Sequence, residues 1–325
     1  MPNLVSSWSV YLWLMGLAND GLPCSFGSID IFSIDESRFD EVRDQLFESI
    51  DSTMTSPQKK DSFKQLAVKE LEQHFMGQVF ARVSIQDSDY NLAFASARRQ
   101  VRLTVDVLNF LIYHFARSNE YFVHMPGESQ SMLDFSLAIA HGHPPAMPDI
   151  SFDPVGSLTT SSMKSLQATV DDSRLFERVS SLLKRIDQGA NEIEMRLLTA
   201  MIWFGRAVRA RTEEESFLMY AIALESLVLE KERLAQLTYR LRLSTAHLLG
   251  VSLDERRQIS REINRLYGIR SDIVHNGNIT VQESDRKSLC GYALECIVAL
   301  LSEDAFGRMR HFKELQDWLD ERILG

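Results

Sequence analysis

The stretch Leu266-Tyr267-Gly268-Ile269-Arg270-Ser271-Asp272-Ile273-Val274-His275-Asn276-Gly277 closes a helical tract whose start is equally legible. Ser252-x-x-Glu255 is a capping-box pattern, in which a hydroxyl and a carboxylate satisfy the free N–H groups of a first turn. The spacing predicts a helix over 253–275, stopped by Asn276-Gly277, where glycine takes left-handed backbone without steric cost. Ile259, Ile263, Leu266 and Ile273 recur at helical spacing and define one apolar stripe. At about 100° per residue, Arg270 falls within about 20° of the direction set by Ile259.

A guanidinium turned toward a core needs a carboxylate beside it or a polar cleft to open into. Glu225, in Ile222-Ala223-Leu224-Glu225-Ser226-Leu227, is the expected partner, at the flank of another helix's apolar face. Such a pair could fix helix packing and do no chemistry. His275 points elsewhere: five residues of helix turn through about 500°, leaving the two side chains about 140° apart. They share one site only if the last turn unwinds or a second subunit supplies one of them. A histidine in a last turn, with Asp272 three residues earlier, suits proton exchange near neutral pH; a solvated C-capping histidine is the plain alternative. The bare spacing decides nothing, because Arg242 and His247 stand equally far apart, and 26 Arg and 8 His make chance matches expected.

Outward from this tract the C-terminal part carries helical signals throughout. Helices are expected near 172–188, 191–210, 213–230, 233–249, 253–275, 282–302 and 306–322. Thr212-x-x-Glu215 repeats the capping-box pattern and Gly250 ends the helix before Ser252. Short connections between antiparallel helices give a bundle. The N-terminal part is mixed. Glu36–Ile50, Asp61–Phe75 and Asp89–Tyr113 have helical periodicity, whereas Val79 to Ile85 and Leu133 to Ile139 alternate as strands do. Trp8, Tyr11 and Trp13 mark a buried strand or helix within the apolar run from Leu4 to Leu17, which is too short to span a membrane. Pro144, Pro145, Pro148 and Pro154, followed by a Ser/Thr-rich stretch, mark a boundary. The expected organisation is an α+β domain over 1–155, a linker over 156–173 and an all-α bundle over 174–325.

Composition narrows the function classes. An apolar fraction of 45% supports buried cores in a chain of 325 residues. Cys24, Cys290 and Cys296 form no disulfide framework and lack metal-site spacing; reduced thiols in a cytoplasmic protein are the expectation. His141-Gly-His143 is too little for a metal site, and no zinc, EF-hand or P-loop pattern occurs, so no cofactor is expected. The net charge of −10 argues against general nucleic-acid affinity. Residues 231–270 reverse that sign locally, with nine Lys/Arg against four Asp/Glu. A basic region of this kind suits a phosphate-binding cleft, and equally a solvated face; Arg242, Arg261 and Arg265 are its candidate phosphate contacts.

From about Glu192 to Ser302 the chain resembles the Apea-like branch of the HEPN superfamily. Phe217 to Leu227 resembles that family's helix with an Ala-Leu-Glu core. Tyr239-Arg240-Leu241-Arg242-Leu243-Ser244-Thr245-Ala246 resembles the following helix, and Leu266 to Gly277 the signature Tyr-x-x-Arg-Ser-x-x-Val-His-x-Gly. The resemblance implies a HEPN-type bundle that dimerises so that two Arg-x4-His motifs face one cleft. It also implies metal-independent cleavage of RNA, such as tRNA, to a 2′,3′-cyclic phosphate, in bacterial antiphage defence or toxin-like growth arrest. Arg270 would then stabilise phosphoryl charge and His275 move a proton, with Glu225, Ser271, Asp272 and Asn276 in support. The N-terminal domain would sense a trigger or a partner protein, or select the RNA. Because the superfamily includes members without nuclease activity, a non-catalytic module that dimerises and binds nucleotide or RNA is the alternative.

Overall fold

The computed structural model describes residues 6–87, 89–118, 121–125, 136–140, 143, 170–186, 188–229, 237–276 and 280–324. They fall into two compact units, one built on the N-terminal sheet and one wholly helical, with a single long helix contributing its first half to one and its second half to the other.

In the first unit β1 (Ser6–Leu14), β2 (Cys24–Phe26), β3 (Ile29–Ser33), β4 (Val79–Asp87) and β5 (Ser136–Ala140) form an antiparallel sheet in the order β2-β3-β4-β1-β5. The run at the N-terminus is a central strand: Val10 pairs with Val83 and Leu12 with Ala81 on one side, Tyr11 with Leu137 on the other. Both faces of β1 are buried, which explains why its apolar pattern is continuous rather than alternating. Tyr11 and Trp13 point into a core shared with α1 (Glu36–Thr53) and α2 (Pro57–His74), through Phe39, Leu46, Leu71 and Phe75. Asp35 caps α1 by accepting from the Arg38 N–H at 2.9 Å.

Two strands here have no counterpart in the sequence reading. Phe26 pairs with Ile29, so β2 and β3 are joined by the two-residue turn Gly27-Ser28, with Gly27 at φ +62°. That is hairpin chemistry, but β2, with three residues, is too short to show alternation. Of the strand expected from Leu133 to Ile139, residues 133 and 135 lie outside the described residues and β5 begins at Ser136.

The second unit holds the rest. α3 (Tyr90–Ala116) belongs to it from Asp106 onward, together with α4 (Val170–Arg185), α5 (Glu192–Val208), α6 (Glu213–Val228), α7 (Leu237–Leu249), α8 (Leu253–Asn276), α9 (Glu283–Ser302), α10 (Asp304–Gly307) and α11 (Phe312–Leu324). The helix α4 begins four residues before the end of the stretch read as linker, whose residues 156–169 lie outside the described residues. The pairs α5–α6 and α7–α8 are antiparallel neighbours, α9 packs on α5, α6 and α7, and α11 on α7. Leu198, Met201, Phe204, Phe217, Tyr220, Leu224, Leu241, Ile263, Leu266, Leu289 and Ile297 are all buried in this unit.

Asp106 explains why α3 is shared. Its carboxylate is fully buried and bridged by Arg206, at 2.8 Å, and by Arg209, both at the end of α5. The two backbones approach so closely that a Cβ on Gly205 would lie 1.7 Å from the Asp106 carbonyl oxygen. Only glycine fits there. A further difference concerns the helix expected over 306–322, which is broken between α10 and α11. Glu314 accepts from the N–H groups of Arg310 and His311, and Glu192 from that of Phe312. These carboxylates cap a fresh helix start where periodicity alone reads straight through.

Candidate functional site

The helix carrying the Arg-x4-His motif starts as its sequence indicates. Glu255 N–H donates to Ser252 Oγ at 3.2 Å and Ser252 N–H to Glu255 at 2.8 Å, a reciprocal capping box. Gly250 ends α7, donating to the Ala246 carbonyl at 2.8 Å. Ile263 and Leu266 are fully buried, Ile259 and Ile273 partly so.

Arg270 lies on the flank of that stripe with its side chain 29% exposed, and Glu225 on α6 is its partner. The Nε to Oε1 distance is 3.3 Å, an ion pair whose N–H is not aligned for a hydrogen bond. A third residue completes the group. The Tyr267 hydroxyl donates to Glu225 Oε1 at 3.0 Å and lies 3.3 Å from the Ala221 carbonyl. Burial, then the Glu225 carboxylate, push the Tyr267 phenol well above its ordinary range, so it acts as a fixed donor. Glu225 is thereby held by one neutral donor and one cation. The terminal amino groups of Arg270 have no hydrogen-bond partner among the described residues. In the sequence the signal for Tyr267 is its position one turn before Arg270, which puts both side chains beside the same partner.

The helix α8 remains α-helical through Asn276. The last turn therefore does not unwind to bring Arg270 and His275 together, and within one chain they point about 140° apart. His275 is exposed, as are Ser271 and Asp272. The Asn276 side chain and Gly277 lie outside the described residues.

The three arginines expected to contact phosphate separate into two groups. Arg265 is clamped by Glu262 at 2.7 Å and Asp285 at 2.7 Å, and these bonds raise its affinity for its proton further. With both its carboxylate partners in place it has little to offer a phosphate. Arg242 and Arg261 line one cleft of about 400 Å³ between α7 and α8, with His247, Arg256 and Arg257. In the sequence Arg256 and Arg257 belong only to a basic run, and His247 stands at a chance spacing from Arg242. Only the antiparallel α7–α8 pairing brings these residues together.

A larger cleft of about 690 Å³ in the same unit, lined by parts of α4, α5 and α9, is mixed in charge. Its Arg178 donates to the Leu301 carbonyl and its Arg185 pairs with Glu194 at 2.8 Å. Among the described residues no group of three or more His, Cys, Asp or Glu is placed to hold a metal ion, and no helix is long and apolar enough to cross a membrane. No family model matches the chain, and no curated protein or solved structure matches it either.

Proposed function

We propose that this protein is a dimeric, metal-independent endoribonuclease of HEPN type, with Arg270 and His275 as its catalytic residues. The observation that carries the reading is the state of Arg270. It is anchored at Nε by a carboxylate that Tyr267 also holds, while its terminal amino groups make no hydrogen bond among the described residues. A pre-positioned guanidinium of this kind matches the paired oxygens of a phosphodiester. In cleavage the ribose 2′-hydroxyl gives up its proton and its oxygen bonds to phosphorus as the bond from phosphorus to the 5′-oxygen breaks. The 5′-oxygen takes up a proton on leaving, and a 2′,3′-cyclic phosphate remains. Arg270 stabilises the charge that grows on the phosphoryl oxygens, and His275 transfers a proton at the 2′- or the 5′-oxygen.

Since α8 is unbroken, the reading requires the histidine and the arginine acting on one phosphate to come from two copies of the chain. Its setting would be cytoplasmic, in antiphage defence or growth arrest, with tRNA among the substrates and a trigger acting at the sheet-containing unit. The test is cleavage of RNA in excess chelator by wild type, Arg270→Ala and His275→Ala. Loss of cleavage in both variants, each with an unchanged helical spectrum and unchanged dimer mass, is the expected result. Folded wild-type dimer that binds RNA without cutting it would overturn the enzyme reading in favour of a non-catalytic RNA-binding module.

A further inference from the structure

The cleft between α7 and α8 differs in charge and bonding from its surroundings. It is lined by Arg242, His247, Arg256, Arg257 and Arg261, with Leu243, Ala246, Leu253 and Ser260, and among the described residues no carboxylate lines it. Three of its charges are left essentially uncompensated by the described residues. Among the described residues Arg242 and Arg261 have no ion pair, and Arg256 donates only to the neutral carbonyls of Gly250 at 2.9 Å and Val251 at 3.4 Å. Arg257 has a loose, exposed contact with Asp254 at 3.5 Å. Among the described residues His247 Nδ1 is buried without a hydrogen-bond partner, an arrangement that costs free energy. Four arginines line this one small cleft, and a dianionic phosphoryl group offsets their mutual repulsion. Tyr239, half exposed, holds the Arg242 guanidinium 4.9 Å from its ring.

A second observation gives the cleft a direction. Arg257 and His275 are 18 residues apart, five full turns, so they project from α8 in the same direction about 27 Å apart. Arg261, Asn264, Gly268 and Ser271 lie within about 40° of that line, and all six residues are exposed. The strip itself carries no carboxylate; Asp254 and Asp272 flank it at about 60°, near its two ends. A Cβ on Gly268 would meet nothing within 4 Å, so the middle of the strip is open.

We infer that the α7–α8 cleft is a phosphate-binding site and that a single nucleic-acid strand seated there runs along this face of α8 to His275. The cleft stands on its own geometry; the course of the strand toward His275 rests on the ribonuclease reading. A free polyphosphate shares the chemistry that the cleft recognises, and the experiment separates the two.

The full-length protein is titrated against a fluorescein-labelled decamer of 2′-O-methyl RNA, which cannot be cut by 2′-oxygen attack, and separately against sodium tripolyphosphate. Arg261 is exposed, so Arg261→Gln leaves the fold intact; it is expected to weaken decamer binding about tenfold. The slope of log affinity against log salt should flatten by about 0.7 per phosphate contact removed, and by about 1.4 in the Arg242→Gln/Arg261→Gln double variant. Gly268→Glu, in open space, should weaken the decamer and leave tripolyphosphate unaffected. Wild-type affinity in the double variant overturns the cleft assignment. Tight tripolyphosphate binding without decamer binding, or a Gly268→Glu variant that binds the decamer like wild type, overturns the strand. If the variants behave as expected but wild type does not cut unmodified RNA, the cleft survives and the ribonuclease reading fails.

Discussion

Replacing Glu225 separates the packing role of the Arg270 pair from its chemistry. Its carboxylate takes a hydrogen bond from the Tyr267 hydroxyl at 3.0 Å and lies 3.3 Å from Arg270 Nε. A hydrogen bond to a charged acceptor contributes about 1.5–3 kcal/mol. The ion pair contributes less than a buried one, because Glu225 and Arg270 keep 18% and 29% of their side-chain surface. For a pair this exposed, about 1 kcal/mol is the upper end of what surface pairs deliver, against about 3–5 kcal/mol for breaking a buried one. Tyr267 retains the Ala221 carbonyl at 3.3 Å as a fallback partner, which recovers part of the loss. Glu225→Ala should therefore cost about 2 kcal/mol, less than the 3 kcal/mol or more expected of a fully buried pair, and Glu225→Gln about 1 kcal/mol. Tyr267→Phe should cost about 1 kcal/mol, and combined with Glu225→Ala the two effects should fall short of adding by about 1 kcal/mol. Native-state hydrogen exchange of peptides from α6 and α8 measures these changes where the pair sits. A cost below about 0.5 kcal/mol for Glu225→Ala, or strict additivity with Tyr267→Phe, would refute the coupled triad.

Three further outcomes follow from the packing. Asp106→Asn removes the charge of a fully buried carboxylate held between Arg206 and Arg209, and should cost about 3 kcal/mol in the second unit, read by urea denaturation. Gly205→Ala drives a methyl group into the Asp106 carbonyl oxygen and should cost more than about 3 kcal/mol, whereas Gly268→Ala, in open space within α8, should gain about 1 kcal/mol, both measured by the same method. Burial first, then Arg256 and Arg322, hold the His247 imidazole below the ordinary histidine range. The unfolded chain then binds more protons than the fold below about pH 6.5, so stability falls as pH drops through that window; His247→Gln should flatten the decline, and tripolyphosphate should raise the His247 NMR titration midpoint.

The capping boxes and the apolar stripe made α8 readable to within a residue, because both are local and repeat at the helical period. The Glu225–Arg270 contact was also legible, since an arginine on an apolar stripe demands a carboxylate and few stand on a facing helix. What escaped notice depends on distance along the chain. Asp106 is 100 residues from Arg206, and nothing within α3 indicates that its second half serves the helical unit. The basic cleft needs α7 folded back on α8, and the clamping of Arg265 needs Asp285 from α9. The β2–β3 hairpin is hidden for the opposite reason, its first strand being too short for a period to show.

The most direct test of the central claim is the chemistry of the RNA ends. Wild-type protein and His275→Ala are incubated with total tRNA in excess chelator, and the new 3′ ends are identified. The account predicts discrete wild-type fragments ending in 2′,3′-cyclic phosphate, and none from the folded variant. Intact RNA after incubation with wild-type dimer, or equal cleavage by His275→Ala, would contradict it.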